Sequence, residues 1–240
     1  MCTVVIRVPQ IGEEPVRLLA VRDEDPDRGW MPLGENWPDH PGVVGVRDRR
    51  AGGAWLAADP GSRRLAVLLN RRSPEPPEGV ELISRGGIPL DAIAGLPIEP
   101  TVVTAGFNLV TVDASRGSVA ASVITWDGVE RRETRIPPGT HMIAHEDLDD
   151  LATARIAAWR NAFSEAPTDG PDWFVPWLEV LRASAVVDPD DERAIVRDNR
   201  PLGYPTLSTL LCAASVSADG IEVRYAEFAE PGHWDGVTPR

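Results

Sequence analysis

Apolar positions along this 240-residue chain either alternate or run unbroken over most of its length, and take helical spacing only between about residues 147 and 199. Residues 2–8 (Cys-Thr-Val-Val-Ile-Arg-Val) are β-branched and apolar, which predicts a strand buried on both faces. Pro9, Gly12 and Pro15 supply turn chemistry, and residues 16–21 read as the returning strand of a hairpin. The stretch 23–42 collects acids, prolines, Trp30 and Trp37, and is expected to be a long ordered loop, a feature often functional where it occurs. Strand-like runs follow at 42–46, 54–58 and 65–69, with Gly52-Gly53 and Pro60-Gly61 as turns. Residues 73–101 are rich in Pro and Gly, with room for one short helix near 90–94, and strands are expected at 102–112, 118–126 and 129–136. Leu148, Ala152, Ile156, Trp159 and Phe163 then line one side of a helix over 147–163. A second helix at 172–185 brings Trp173, Trp177 and Leu181 to one face, and a third, more polar, is expected at 188–199. Strands at 207–216 and 221–228 close the chain around the hairpin signal Asp219-Gly220. Strands, then helices, then strands that must rejoin the first sheet describe an α+β layered domain spanning 1–240.

Charge and composition exclude several classes of function. Acids outnumber basic residues 37 to 24, a formal charge of −13, so neither nucleic acid nor an anionic membrane surface meets the positive field it needs. Every basic residue is arginine. Schiff-base and phosphate-loop lysine chemistries are therefore excluded. No apolar run approaches the roughly 20 residues of a membrane span, and no secretion signal leads the chain, so the expected address is the cytosol. The two cysteines, Cys2 and Cys212, are too few for a disulfide scaffold and lack metal-ligand spacing. His141 and His145 share a face only in a helix, and Pro137-Pro138-Gly139 before them favours strand or turn.

Cys2, directly after the initiator Met, is the most informative residue. Removal of Met1 would expose a thiol and a free α-amine on one residue, a nucleophile with its own base. The competing reading is a small buried residue opening a core strand. The hairpin brings Arg22-Asp23-Glu24 beside Cys2. There a guanidinium is expected to lower the thiol pKa and a carboxylate to orient the α-amine. The same cluster also reads as a charged strand end meeting solvent.

Met1-Cys2 followed by Ala20-Val21-Arg22-Asp23-Glu24 resembles the NRDE-motif family, also named the transport and Golgi organisation protein 2 family. Further matches fall in order: Gly52-Gly53-Ala54-Trp55-Leu56, Ala66-Val67-Leu68-Leu69-Asn70, Gly106-Phe107-Asn108-Leu109 and Pro138-Gly139. The resemblance implies a four-layer αββα sandwich of the amino-terminal nucleophile hydrolase type, with one helical layer reduced around residues 73–101. It also implies roles: Cys2 as nucleophile and base, Arg22 and Asp23 beside it, Asn70 as an oxyanion donor. His145 stands where the relatives carry a second asparagine, Leu207 where they carry a late arginine, and Val21 replaces the asparagine of the motif. The implied activity is hydrolysis of a linear non-peptide amide through a Cys2 thioester, with no cofactor required. The alternative implied by the same family is a carrier for haem or another hydrophobic metabolite, with a Cys2 thiolate as one way to hold iron.

Overall fold

The computed structural model describes residues 2–10, 14–74, 78–79 and 81–240. It is a mixed α/β structure of two antiparallel sheets and few helices. The first sheet has five strands: β1 (Thr3–Val8), β2 (Val16–Glu24), β10 (Gly139–Ile143), β11 (Leu207–Val216) and β12 (Ile221–Glu227), in the order β10-β1-β2-β11-β12. The second follows chain order through β3 (Trp30–Gly34), β4 (Val44–Asp48), β5 (Ala54–Asp59), β6 (Arg64–Asn70), β7 (Phe107–Asp113), β8 (Ala120–Trp126) and β9 (Arg131–Arg135).

Side chains alternate across each strand, and in the central strands both faces find apolar partners. Val4, Ile6 and Val8 of β1 and Leu18 and Ala20 of β2 meet Val67, Val110 and Val123 in a cluster joining the two sheets. Val5, Leu19 and Val21 point the other way, into a cluster with α2 (Ala154–Glu165) and α3 (Val175–Ser184). There Trp177 meets Phe163 and Trp173 edge-on, at centroid distances of 5.9 and 5.7 Å. The outer side of the second sheet receives Leu90 and Ile93 of the six-residue α1 (Ile88–Ile93). This double burial is why β1 reads as an unbroken apolar run.

Four expectations are corrected. Residues 23–42 are not one long loop, since β2 continues to Glu24 and β3 occupies Trp30–Gly34. As an edge strand with no buried position, β3 carries no alternating apolar signal. No third helix forms at 188–199; Asp191 and Asp198 accept hydrogen bonds from the backbone N–H groups of Arg193 and Arg200, side-chain bonds that compete with helix. Four consecutive buried residues there, Ala194 to Arg197, also suit an irregular segment better than one helical face. Residues 102–106 precede β7 as turn and coil, and α2 starts only at Ala154 because residues 148–153 turn about Asp150. The short β10 falls where Pro137-Pro138-Gly139 favoured strand or turn. Met1 and residues 11–13 of the expected hairpin turn lie outside the described residues. No helix among the described residues is long and apolar enough to cross a membrane.

The registers set up the site. Thr3 pairs with Val21, so one step further Cys2 lies opposite Arg22. Val4 pairs with Ile143, the last residue of β10, and the chain then bends away at Ala144 and His145. On the far side of β2, β11 pairs Ser208 with Asp23 and Leu210 with Arg22 through a bulge.

Candidate functional site: the cleft at Cys2

Cys2, Arg22, Asp23 and Asn70 line one cleft of about 550 Å³ at the mouth of the space between the sheets. Cys2 is 5% exposed, and its Sγ donates to the backbone carbonyl of Asp23 at 3.8 Å. Burial pushes the thiol pKa up, the nearby Asp23 carboxylate adds to the rise, and Arg22 only partly opposes them. The sequence-based expectation of an Arg22-lowered thiol is therefore corrected. Arg22 spends its charge elsewhere: Nη2 donates to Glu24 Oε2 at 2.8 Å, and the guanidinium lies 5.7 Å from the Trp30 ring and 6.0 Å from that of Trp55. Arg22 is nonetheless buried, so the cluster is no solvated strand end.

The carboxylate of Asp23 is fixed from β11 and the segment before it. Ser208 Oγ donates to Oδ1 at 2.6 Å and Asn199 Nδ2 to Oδ2 at 3.2 Å, while Arg197 Nε donates to Asn199 Oδ1 at 3.0 Å. All three supporting residues are buried. Leu207 is a buried member of β11, and the guanidinium that reaches this network is that of Arg197.

Across the cleft, Asn70 ends β6 with an exposed side chain on the Cys2 side. Arg85, which the sequence did not single out, completes the wall. It donates to the Gly106 carbonyl at 2.7 Å, and burial lowers its pKa. Its segment is held against β5 where Ala54 N–H donates to Gly86 O at 2.8 Å. Gly53 and Gly86 touch so closely that a Cβ on Gly53 would stand 2.3 Å from the Gly86 backbone. Exposed Leu82 and Ile83 form an apolar lip. Among the described residues, two buried donors on cleft residues, Arg22 Nη1 and Trp55 Nε1, have no acceptor.

His145 lines a different cleft, with Arg72, Arg155 and Arg197. Its Nδ1 accepts from Arg155 Nη2 at 3.2 Å, so in the neutral ring the proton sits on Nε2. Burial and the surrounding arginines lower its pKa to about 4. Asn108, in the Gly-Phe-Asn-Leu strand, is buried and ties the sheets together. It donates to Ala144 O and Glu146 O at 3.2 and 2.8 Å and accepts from Thr125 Oγ1 at 3.0 Å. Of the two tryptophans in the stretch 23–42, Trp30 donates to Tyr225 OH and Trp37 to Gly52 O, at 2.8 and 2.9 Å, and only Trp30 stacks on a cleft residue. Cys212 is a core residue of β11. Among the described residues no group of three or more His, Cys, Asp or Glu is arranged to hold a metal ion.

A family model described as Transport and Golgi organisation 2 matches residues 1–172. The chain belongs to the Transport and Golgi organisation 2 family. The matched segment carries Cys2, Arg22, Asp23 and Asn70, whereas the residues that hold Asp23 lie beyond it. No curated protein matches the chain. Solved structures that match include the Caenorhabditis elegans N-acylethanolamine-hydrolyzing acid amidase ortholog, 13% identical, covering 88% of this chain and 92% of that chain at a TM-score of 0.44.

Proposed function

We propose that this member of the family is a cysteine amidohydrolase of the amino-terminal nucleophile type, acting on a linear non-peptide amide in the Cys2 cleft. One observation carries the reading: a buried thiol opens a cleft of about 550 Å³ and is flanked by a carboxylate, Asp23, that Ser208 and Asn199 hold in one orientation. A buried carboxylate held this firmly suits a positioning task better than packing. The layered order of the fold is part of the same proposal: α2 and α3, the five-stranded sheet, the seven-stranded sheet and a reduced layer of α1, as the three apolar clusters support.

The chemistry requires Cys2 to be the first residue of the mature chain. The α-amine takes the thiol proton as sulfur attacks the amide carbon, and Asn70 Nδ2 donates to the oxyanion. The amine then returns the proton to the leaving nitrogen as the C–N bond breaks, and water hydrolyses the thioester. A raised thiol pKa fits this route, because the thiol keeps its proton until a base and substrate arrive together. Leu82 and Ile83 offer apolar surface to an acyl chain. Cys2→Ser removes turnover of a panel of N-acyl amines if the reading holds; turnover equal to wild type would overturn it.

The exposed apolar lip of Leu82 and Ile83 supports the second reading, a carrier that binds a hydrophobic metabolite without turning it over, with haem as candidate cargo. Titration with haem decides it: a Soret shift lost in Cys2→Ser supports the carrier, and an unchanged spectrum removes haem from consideration.

A further inference from the structure

The cleft that holds His145 has a charge imbalance that the Cys2 chemistry does not use. Arg155 is 1% exposed and, among the described residues, forms no ion pair. Its one hydrogen bond goes to neutral His145, and its Nε has no acceptor. Asp23 and Glu192 act on this guanidinium through space without forming an ion pair, and a buried guanidinium with no direct carboxylate partner is among the more costly arrangements a protein can hold. Arg197, also buried, lies close enough to help lower the Arg155 pKa to about 10, after burial itself. Arg197 donates only to neutral oxygens, those of Asn199, Glu192 and Ala194. Exposed Arg72 faces the same space.

The fold adds a further positive element. The first turn of the 12-residue α2 opens into this cleft through Thr153, Ala154 and Arg155, and contains no acid. No side-chain hydrogen bond caps the helix end, where the Ile156 amide bonds the Thr153 carbonyl and the partial positive charge of the helix lies beside the cleft. Acids on the rim are engaged elsewhere or solvated. Glu146 and Asp147 pair with Arg71, Asp150 accepts from Ala152 N and Thr153 Oγ1, and Glu192 is exposed.

We propose that this second cleft is an anion site that receives the phosphate group of a small phosphorylated metabolite. Arg155, Arg72 and Arg197, the Nε2–H of His145 and the N-terminal end of α2 converge on it. Three guanidinium groups suit an oxyanion with more than one charge, and their forks match phosphate geometry. A volume of about 610 Å³ leaves room for an organic part, which Leu202 and Tyr204 would meet at the mouth. The site is independent of whether Cys2 turns over an amide.

Thermal unfolding of the full chain at matched ionic strength tests the assignment with inorganic phosphate, phenyl phosphate and benzoate. Phenyl phosphate is expected to raise Tm by several degrees at saturation, inorganic phosphate by less, and benzoate hardly at all. Arg155→Met and Arg72→Ala lose the phosphate increment, whereas Cys2→Ser keeps it. Arg72 is exposed, so its variant folds even if Arg155→Met does not. No phosphate-specific increment, or one unchanged in Arg72→Ala and in a folded Arg155→Met, overturns the site. A benzoate effect equal to that of phenyl phosphate overturns the assignment to phosphate. Equal effects of inorganic and phenyl phosphate overturn the assignment to a metabolite.

Discussion

Asp23 illustrates how far a single side chain's role depends on residues distant in the chain. Its oxygens are held by Ser208 and Asn199, so Ser208→Ala deprives Oδ1 of a buried donor and the Arg197 amide of its acceptor. The expected loss is about 1–3 kcal/mol of unfolding free energy, seen as a lower denaturant midpoint; an unchanged midpoint would remove Ser208 from the network. His145 gives a pH dependence with a definite sign. Its pKa falls from 6.5 to about 4 in the fold, so the unfolded chain binds the extra proton first as pH drops. The stability of the native state therefore declines between about pH 6.5 and 4, and His145→Asn flattens that part of the curve. Cys2, Arg22 and Asp23 were legible in the sequence because one hairpin brings their strand ends together. Asn199 and, through it, Arg197 were not, because nothing local marks a polar residue as the partner of Asp23, well over a hundred positions away.

At the scale of elements, the cleft depends on a backbone contact. β5 and the segment at Arg85 approach at Gly53 and Gly86, where a Cβ has no room. Gly53→Ala forces the two apart, weakens the bond from Ala54 N–H to Gly86 O and displaces Arg85 from the wall. The expected cost is about 1–3 kcal/mol together with faster thiol labelling of Cys2, as its cover loosens. A variant with wild-type Tm and labelling rate would show the contact to be incidental. The Gly-Gly pair was visible in the sequence as a turn, but its tertiary role was not, since a glycine's second backbone neighbour leaves no local pattern. The helices show the converse. α2 and α3 were legible from large apolar residues at helical spacing, whereas the third expected helix yielded to aspartates bonding their own backbone.

Over the whole molecule, the five-stranded sheet closes only when the chain returns. β11 lies between β2 and β12, and it brings Ser208 to Asp23. The family model ends at residue 172, before α3, β11 and β12. Residues 1–172 expressed alone would expose β2 as an unpaired edge and lose Trp173, Trp177 and Leu211 from the outer core. No cooperative unfolding transition is expected from that fragment; a sharp transition with a native-like midpoint would contradict the role given to the C-terminal strands. That late strands rejoin the first sheet was legible from element order, while the position of β10 beside β1 was not, because five residues of weak pattern fix no partner.

The central claim is that Cys2 unites a reactive thiol and a free amine at the mouth of the cleft. Cyanobenzothiazole, which condenses only with a terminal cysteine bearing both groups, tests it most directly when read by intact mass on the folded protein. One adduct per chain on wild type, none on Cys2→Ser, and an alkylation rate that climbs with pH past the ordinary thiol range are the predicted results. Retained Met1, or a folded protein that stays unlabelled while the denatured chain reacts, would contradict the account.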